Sequence, residues 1–303
     1  MTMMSQLFMN AESNISKLLN ELSNEVNRLY GYVKIAGDNF DEPAINSGPC
    51  GPFAYAFFKL WNQKSIEKVT IVFIMVKNSD ECWHTLIRLP DGSLFDGGYG
   101  VHSEEKYRNQ FDIEDMLKFD IDLLEKRSYG LNREYPRYCP NFSIKVIEDL
   151  IVRYLNLIDK NIIFQKINPT CPSLETVIKS SIGSPTLERI KQVLQDYELP
   201  NRFFIGAFSS QTLIAVIGYE LKGTQAIIKH ISVIEAFKKE GIGKTLIQLL
   251  INDCTPNTVT LETDDESVGF YKNIGFICTP FKGKYGVRYN CSQDLSSYLY
   301  SRR

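Results

Sequence analysis

Lys229-His230-Ile231-Ser232-Val233-Ile234-Glu235-Ala236-Phe237-Lys238-Lys239-Glu240-Gly241-Ile242-Gly243-Lys244-Thr245-Leu246-Ile247 decides how the second half of the chain is read. The β-branched run up to Ile234 predicts a strand, and Leu246, Ile247, Leu250 and Ile251 predict a helix starting around Gly243. Between them, Gly241 and Gly243 let the backbone come close to a ligand, and the free N–H groups of a helix's first turn point at whatever lies in front of it. Together they make an anion site suited to a pyrophosphate. The spacing is neither the GxxxxGK(S/T) phosphate loop nor the GxGxxG dinucleotide fingerprint, and a bare GxG also serves as a plain strand-to-helix turn. Its neighbours must decide.

Upstream, Asn161 to Ile167 reads as a strand, and Asn168-Pro169-Thr170-Cys171-Pro172-Ser173 is a loop leading into two helical stretches that end near Tyr197. Arg202 to Phe208, Leu213 to Leu221 and Gln225 to Ile234 are three strand-like runs separated by turn residues, which predicts an antiparallel meander. Downstream, Thr258 to Leu261 reads as another strand, followed by Glu262-Thr263-Asp264-Asp265-Glu266-Ser267-Val268-Gly269-Phe270-Tyr271-Lys272-Asn273-Ile274-Gly275-Phe276 and then Gly286-Val287-Arg288-Tyr289-Asn290-Cys291.

These ordered segments resemble the GNAT superfamily of N-acetyltransferases over essentially all of residues 161–303. That family carries (R/Q)xxGx(G/A) between its fourth strand and third helix. Lys238-Lys239-Glu240-Gly241-Ile242-Gly243 matches it, with Lys238 keeping the charge but losing the planar fork of Arg. The 268–276 segment resembles the family's "vGFYrklGF" pattern. The resemblance implies a mixed-sheet α/β domain that binds acetyl-CoA. Pantetheine would lie on the backbone around Val233, and the pyrophosphate on the amides of Lys239, Glu240, Gly241, Ile242, Gly243 and Lys244. It also places Tyr271 where members hold the phenol that protonates the departing thiolate. His230 is in reach as general base, with Glu235 or Glu262 able to share that role. Tyr271 also reads as core packing beside Phe270, and His230 as an ordinary strand histidine.

The first half has a different grammar. Ile15, Leu18, Leu19, Leu22, Val26 and Leu29 predict an amphipathic helix over 13–30, a polar, turn-rich stretch covers 37–43, and Val69 to Val76 and Trp83 to Leu89 predict strands. Helices are expected again from 104 to 160. Cys50, within Gly48-Pro49-Cys50-Gly51-Pro52, opens an apolar helix, where free amides and the helix dipole favour a thiolate. His84 and Asp96 flank a hairpin at Pro90-Asp91-Gly92. A three-residue loop with Gly92 left-handed sets 89 opposite 93 and 86 opposite 96, making His84 and Asp96 diagonal neighbours about 7 to 8 Å apart. A two-residue Asp91-Gly92 loop would put them on opposite faces.

The order Cys50, His84, Asp96 resembles the papain-like/transglutaminase-like superfamily over roughly 30–110, although the RGGxCxEN-type and Cys-Gly-Ser-Cys-Trp motifs are missing. That resemblance implies an α+β domain in which Cys50 attacks an acyl or amide carbonyl, His84 moves the proton and Asp96 fixes the imidazole. Asn46 or a backbone amide near Cys50 would serve the oxyanion. A buried, inert Cys50 is the plainer alternative. His102 reads as a loop residue, and Trp61 and Trp83 as core or site-wall aromatics.

The expected domains are 1–160, the Cys-His-Asp domain, and 161–303, the acetyltransferase domain. Residues 161–303 carry 16 Lys+Arg against 13 Asp+Glu, or +3, leaving 18 against 23, or -5, for the first half. A net charge of -2 without a basic stripe argues against a nucleic-acid-coating protein. The seven cysteines include no CxxC pair, so neither a zinc site nor a disulfide framework is expected, and a reducing, cytoplasmic setting fits. No apolar run approaches a membrane span, and no signal-peptide pattern is evident at the N-terminus. The leading expectation is therefore an acetyl-CoA-dependent N-acetyltransferase, acting on an amine of a small molecule, peptide or protein, fused to a Cys-His-Asp hydrolase or acyltransferase. Alternatives are a cysteine amidase, protease or deamidase with a CoA-binding regulatory half, and a binding module with both sites degenerate. Oligomeric state is not legible.

Overall fold

Leu18, Leu19, Leu22 and Val26 are almost wholly buried, and their spacing gives α1 (Met3–Tyr30) a single apolar face. The computed structural model describes residues 3–34, 41–128, 139, 141–283 and 286–296, without the side chains of 3–13. The chain divides into two compact units, Met1–Ile158 and Asp159–Arg303.

In the first unit α1 is followed by the paired β1 (Tyr32–Lys34) and β2 (Asp41–Pro43), and then by α2 (Cys50–Lys64), which buries Phe53, Ala54, Phe57 and Trp61. β3 (Thr70–Val76), β4 (Cys82–Arg88), β5 (Leu94–Asp96) and β6 (Gly100–His102) come next. After them lie α3 (Glu105–Arg108), β7 (Phe111–Asp115), α4 (Ile121–Arg127) and α5 (Ile144–Asp159). Five strands form one antiparallel sheet in the order β6-β5-β4-β3-β7.

Helical expectation over 104–160 misses β7, which pairs with β3 so that Ile113 lies opposite Ile74. Its alternation spans only five residues: Phe111 and Ile113 pack on the β3 core, while Asp112 and Glu114 face solvent. That is too short a pattern to stand out between two short helices. Within the same stretch, 129–138 and 140 lie outside the described residues, as do 37–40 of the polar turn.

The β4–β5 hairpin takes the three-residue turn. Gly92 has φ +87°, its N–H donates to the Leu89 carbonyl at 2.9 Å, and Ile87 lies opposite Phe95. On its other edge β4 is irregular: His84 faces Ile74, but Cys82 already faces Met75, so Trp83 is an extra, bulged residue.

The second unit begins with β8 (Ile163–Ile167), α6 (Leu174–Ile178) and α7 (Leu187–Asp196), then the antiparallel β9 (Arg202–Ser209), β10 (Thr212–Lys222) and β11 (Gln225–Val233). α8 (Ile242–Cys254) crosses to β12 (Thr258–Thr263), and α9 (Val268–Asn273), β13 (Ile277–Gly283) and β14 (Gly286–Asp294) complete the sheet. Its order is β13-β14-β12-β11-β10-β9-β8, with β11 and β12 parallel and α8 as their crossover. Leu174, Val177, Ile190 and Leu194 of α6 and α7 bury against Phe204, Leu213 and Val216 of the sheet.

One expectation fails here. Cys278 and Cys291 are directly opposite on β13 and β14 and are joined by a disulfide, leaving Cys50, Cys82, Cys139, Cys171 and Cys254 free. Cysteine spacing alone does not reveal strand register.

Candidate functional site

In the second unit β11 and β12 pair over only four positions, from Gln225 opposite Thr258 to Ile228 opposite Leu261. Beyond that the strands part. The cause lies on the opposite edge of β11: Gly218 faces His230 and Tyr219 faces Ile228, so Lys229 is a bulge that bends the strand away from β12. From Lys229 to Val233 the edge toward β12 has no ladder partner among the described residues, which leaves backbone groups to meet a ligand. Val233 lies at the end of this edge.

A short 3-10 turn, Glu235–Phe237, leads to the glycine loop. Lys239 has φ +65° and Gly241, the N-cap of α8, φ +80°, so the loop curls its amides inward ahead of the helix. The first internal amide of α8 to bond backward is Thr245, to the Gly241 carbonyl at 2.9 Å. The amides of Ile242, Gly243 and Lys244 precede it and point out of the helix start. Lys238 is held by Glu235 at 2.6 Å, and Glu240 by Lys160 at 2.6 Å. Glu235 is 87% exposed and paired with Lys238, so it is not among the groups facing the strand gap. That removes it as a shared base.

His230, Glu262, Asp264, Tyr271 and Arg288 border a cavity of about 260 Å³ at the parting. Burial drives the His230 imidazole below its ordinary value, and the Lys229 and Arg202 charges add to this; Ser181 Oγ lies 3.5 Å from its Nδ1. The ring is therefore neutral near pH 7. Burial and the nearby Asp264 push the Tyr271 phenol up to about 12, so it keeps its proton. A second cavity, of about 600 Å³, lies alongside and shares Lys229, Glu262 and Arg288 with the first.

In the first unit the structure brings Cys50, His84 and Asp96 together. Cys50 opens α2 beside His84, and Asp96 Oδ2 lies 3.5 Å from His84 Nε2, with both side chains almost fully buried. Because Nε2 faces the carboxylate, Nδ1 is the nitrogen left for the thiol. Burial alone would raise Cys50, but the adjoining His84 outweighs it and brings the thiol below its usual value. Burial opposes the charged form of His84, yet Asp96 and Cys50 raise the imidazole to about 10. Burial likewise opposes ionised Asp96, but His84, and then His102, hold it well below the carboxylate range. All three shifts favour the charged forms, a thiolate facing an imidazolium and a carboxylate.

Asp96 is fixed by groups that sequence reasoning missed. Its Oδ1 accepts from Gly98 N at 2.8 Å, Tyr99 N at 2.6 Å and Asn46 Nδ2 at 3.0 Å. The Asn46 amide is thus turned onto Asp96, which corrects its expected place as an oxyanion donor. On α1, Asn20, Ser23 and Asn27 hold the β5–β6 corner: Asn20 Oδ1 accepts from Val101 N, Ser23 Oγ donates to the Asp96 carbonyl and Asn27 Nδ2 to that of Gly98. Their three- and four-residue spacing on a face beside Leu19 and Leu22 was a usable signal. His102 is more than a loop residue: it ends β6, with Nε2 3.8 Å from Asp96 Oδ2. Trp61 is core, whereas Trp83 is 48% exposed and stacks on Phe111 at 4.8 Å.

Residues 175–286 match the family model described as "Acetyltransferase (GNAT) domain", so the chain carries a GNAT acetyltransferase domain over that stretch. Solved structures also align with part of the chain. The ribosomal-protein-S18-alanine N-acetyltransferase from Escherichia coli is 15% identical over 45% of this chain and 94% of its own, with a TM-score of 0.39. A GNAT family acetyltransferase from Elizabethkingia anophelis with acetyl-CoA bound is 19% identical over 45% and 99%, with a TM-score of 0.36. The PaiA N-acetyltransferase from Thermoplasma acidophilum in complex with coenzyme A is 20% identical over 44% and 98%, also at 0.36. No curated protein sequence matches the chain. Acetyl-CoA is the cofactor such a domain uses, and the unpaired β11 edge leading to a left-handed glycine at a helix start fits it. No cluster among the described residues suits a metal ion, and no described helix is long and apolar enough to cross a membrane.

Proposed function

We propose that residues 161–303 form an acetyl-CoA-dependent N-acetyltransferase and that residues 1–160 form a papain-like/transglutaminase-like domain with a cysteine nucleophile. The observation that carries the first part is the β11–β12 parting, which leads directly into the Gly241 loop. When bound, acetyl-CoA supplies a thioester whose acetyl carbon an amine can attack, with a thiolate as leaving group. The β11 edge at Val233 would hold the pantetheine amides, and the backbone from Lys239 to Lys244 would hold the pyrophosphate. Neutral His230 takes the proton the amine loses, directly or through water, and Tyr271 provides the proton the thiolate gains.

In the first unit Cys50 Sγ bonds to a carbonyl carbon of an acyl or amide group. His84 passes its proton to the departing group, which breaks the carbonyl's bond to it and leaves an acyl-cysteine for water or an acceptor to resolve. Asp96 holds the imidazole with Nδ1 toward the thiol. The backbone amides at the start of α2 serve the oxyanion, since the Asn46 amide is turned away.

Calorimetric titration of the full chain with acetyl-CoA tests the main reading. Binding is expected, and Gly241→Glu should weaken it at least tenfold. A side chain at φ +80° costs about 1–2 kcal/mol, and a carboxylate repels the pyrophosphate. No binding, or binding indifferent to this substitution, overturns it.

A further inference from the structure

The charged groups around the β11–β12 parting are not equally available. Lys229 pairs with Glu220 at 3.6 Å, and Asp264 Oδ1 accepts from Ser267 N at 3.0 Å where α9 begins. The side chains of Glu262 and Arg288 have no hydrogen bond or ion pair with any of the described residues, yet both line the 260 Å³ and the 600 Å³ cavities. Strand register explains why they sit close without meeting. Glu262 lies opposite Asn290, which makes Arg288 its same-face diagonal neighbour, about 7 to 8 Å away at the backbone.

An unpaired carboxylate and an unpaired guanidinium of opposite sign, side by side, normally close on one another. Here both stay open to a shared cavity beside His230 and Tyr271. A carboxylate in this place attracts an ammonium, and the guanidinium fork matches a carboxylate with two parallel N–H···O bonds. We propose that the acceptor of this acetyltransferase is a free α-amino acid, its ammonium drawn by Glu262 and its carboxylate held by Arg288.

The inference rests on the acetyltransferase reading and names its substrate class. A polyamine would bring its further positive charges against Arg288 and Lys229. An amine without a carboxylate would leave Arg288 unpaired. The reaction balances simply: the α-nitrogen gains a bond to the acetyl carbon as the C–S bond breaks. The ammonium first loses one proton through His230 to solvent, which frees the lone pair. The nitrogen's second proton leaves through His230 once the bond to carbon has formed, the sulfur takes one from Tyr271, and the tyrosinate regains a proton from the imidazolium through water.

The test uses the full chain with acetyl-CoA and two pools, the twenty proteinogenic amino acids and their carboxamides, with acetylated products read by mass spectrometry. Calorimetry with acetyl-CoA alone reports separately on the parent reading, and titration of CoA-saturated protein with the preferred acid reports on binding without turnover. One or more acids should be acetylated at least tenfold faster than the matching amide. Arg288→Gln should lower the rate on the acid, and its binding, by on the order of tenfold to a hundredfold, and the amide rate at least tenfold less than that. Arg288→Lys, which keeps the charge, should recover part of the loss. Amides acetylated as fast as acids, or Arg288→Gln slowing both pools alike, overturns the proposal. So does acetyl-CoA binding with no acid acetylated. Absence of acetyl-CoA binding overturns the parent reading itself.

Discussion

Asp96→Asn isolates the electrostatics of the Cys50 row with little change of shape. The asparagine Oδ1 can keep the bonds from Gly98 N and Tyr99 N, so the β5–β6 corner stays anchored, with Ser23 still on the residue-96 carbonyl. What changes lies 3.5 Å away at His84 Nε2, where Oδ2 becomes an NH2 group that donates. An imidazole receiving a bond at Nε2 carries its own proton on Nδ1, toward Cys50, and cannot take the thiol's proton. The negative charge that helps raise His84 to about 10 is also lost, and burial then favours the neutral ring.

Without the imidazolium, burial dominates at Cys50, and the thiol returns to its ordinary value or above it. A thiol of pKa ~8.5 is about 3% ionised at pH 7, so about thirtyfold is the most that the ionised fraction can lose. The thiolate ultraviolet absorbance of Cys50, taken against a Cys50→Ala blank, should therefore fall in Asp96→Asn at pH 7, by up to that limit. Alkylation by iodoacetamide should fall less, by about tenfold, because a low-pKa thiolate is the weaker nucleophile. Cys82, Cys139 and Cys254, each pushed to about 11 chiefly by burial, provide internal references within the same digest. If Cys50 in the native chain shows no more thiolate than these three at pH 7, or if Asp96→Asn leaves its titration unchanged, the ion-pair reasoning is wrong.

Two further predictions concern stability. Asp96 is depressed on folding, so its contribution is present above the unfolded carboxyl value near ~3.9 and is lost as pH falls through the folded one. His84 is raised, so its contribution is full below pH ~6.5 and is lost as pH rises through about 10. Cys50, lowered on folding, works the other way up to the unfolded thiol value near ~8.5, so the melting temperature of the first unit should decline chiefly from there to about pH 10, and a decline equally steep in Asp96→Asn would contradict this origin. Gly51→Ala places a Cβ 1.1 Å from Ser128 Oγ and 2.4 Å from Ser128 Cβ. Rotating the hydroxyl relieves only the first contact, so a loss of about 1–3 kcal/mol is expected in chemical denaturation. Adding Ser128→Gly should restore most of it, and an unchanged midpoint in the single variant would show that the backbone yields freely.

The sequence by itself determined the secondary-structure rhythm of the second unit, because strand and helix periodicities there are long and are punctuated by glycine at the right places. It also determined that Cys50 opens a helix, since Gly48-Pro49-Cys50-Gly51-Pro52 precedes an apolar run. Whether His84 and Asp96 share a face hinged on one residue of turn length, and the left-handed Gly92 decided it. Tertiary structure alone supplied the Lys229 bulge, which parts β11 from β12, and the bulge at Trp83 beside His84. A bulge is one residue out of register with a partner strand distant in sequence, and local periodicity carries no record of it. The same holds for β7 and for the Cys278–Cys291 pairing. It holds above all for Glu262 and Arg288, whose side chains strand register sets side by side with no partner among the described residues.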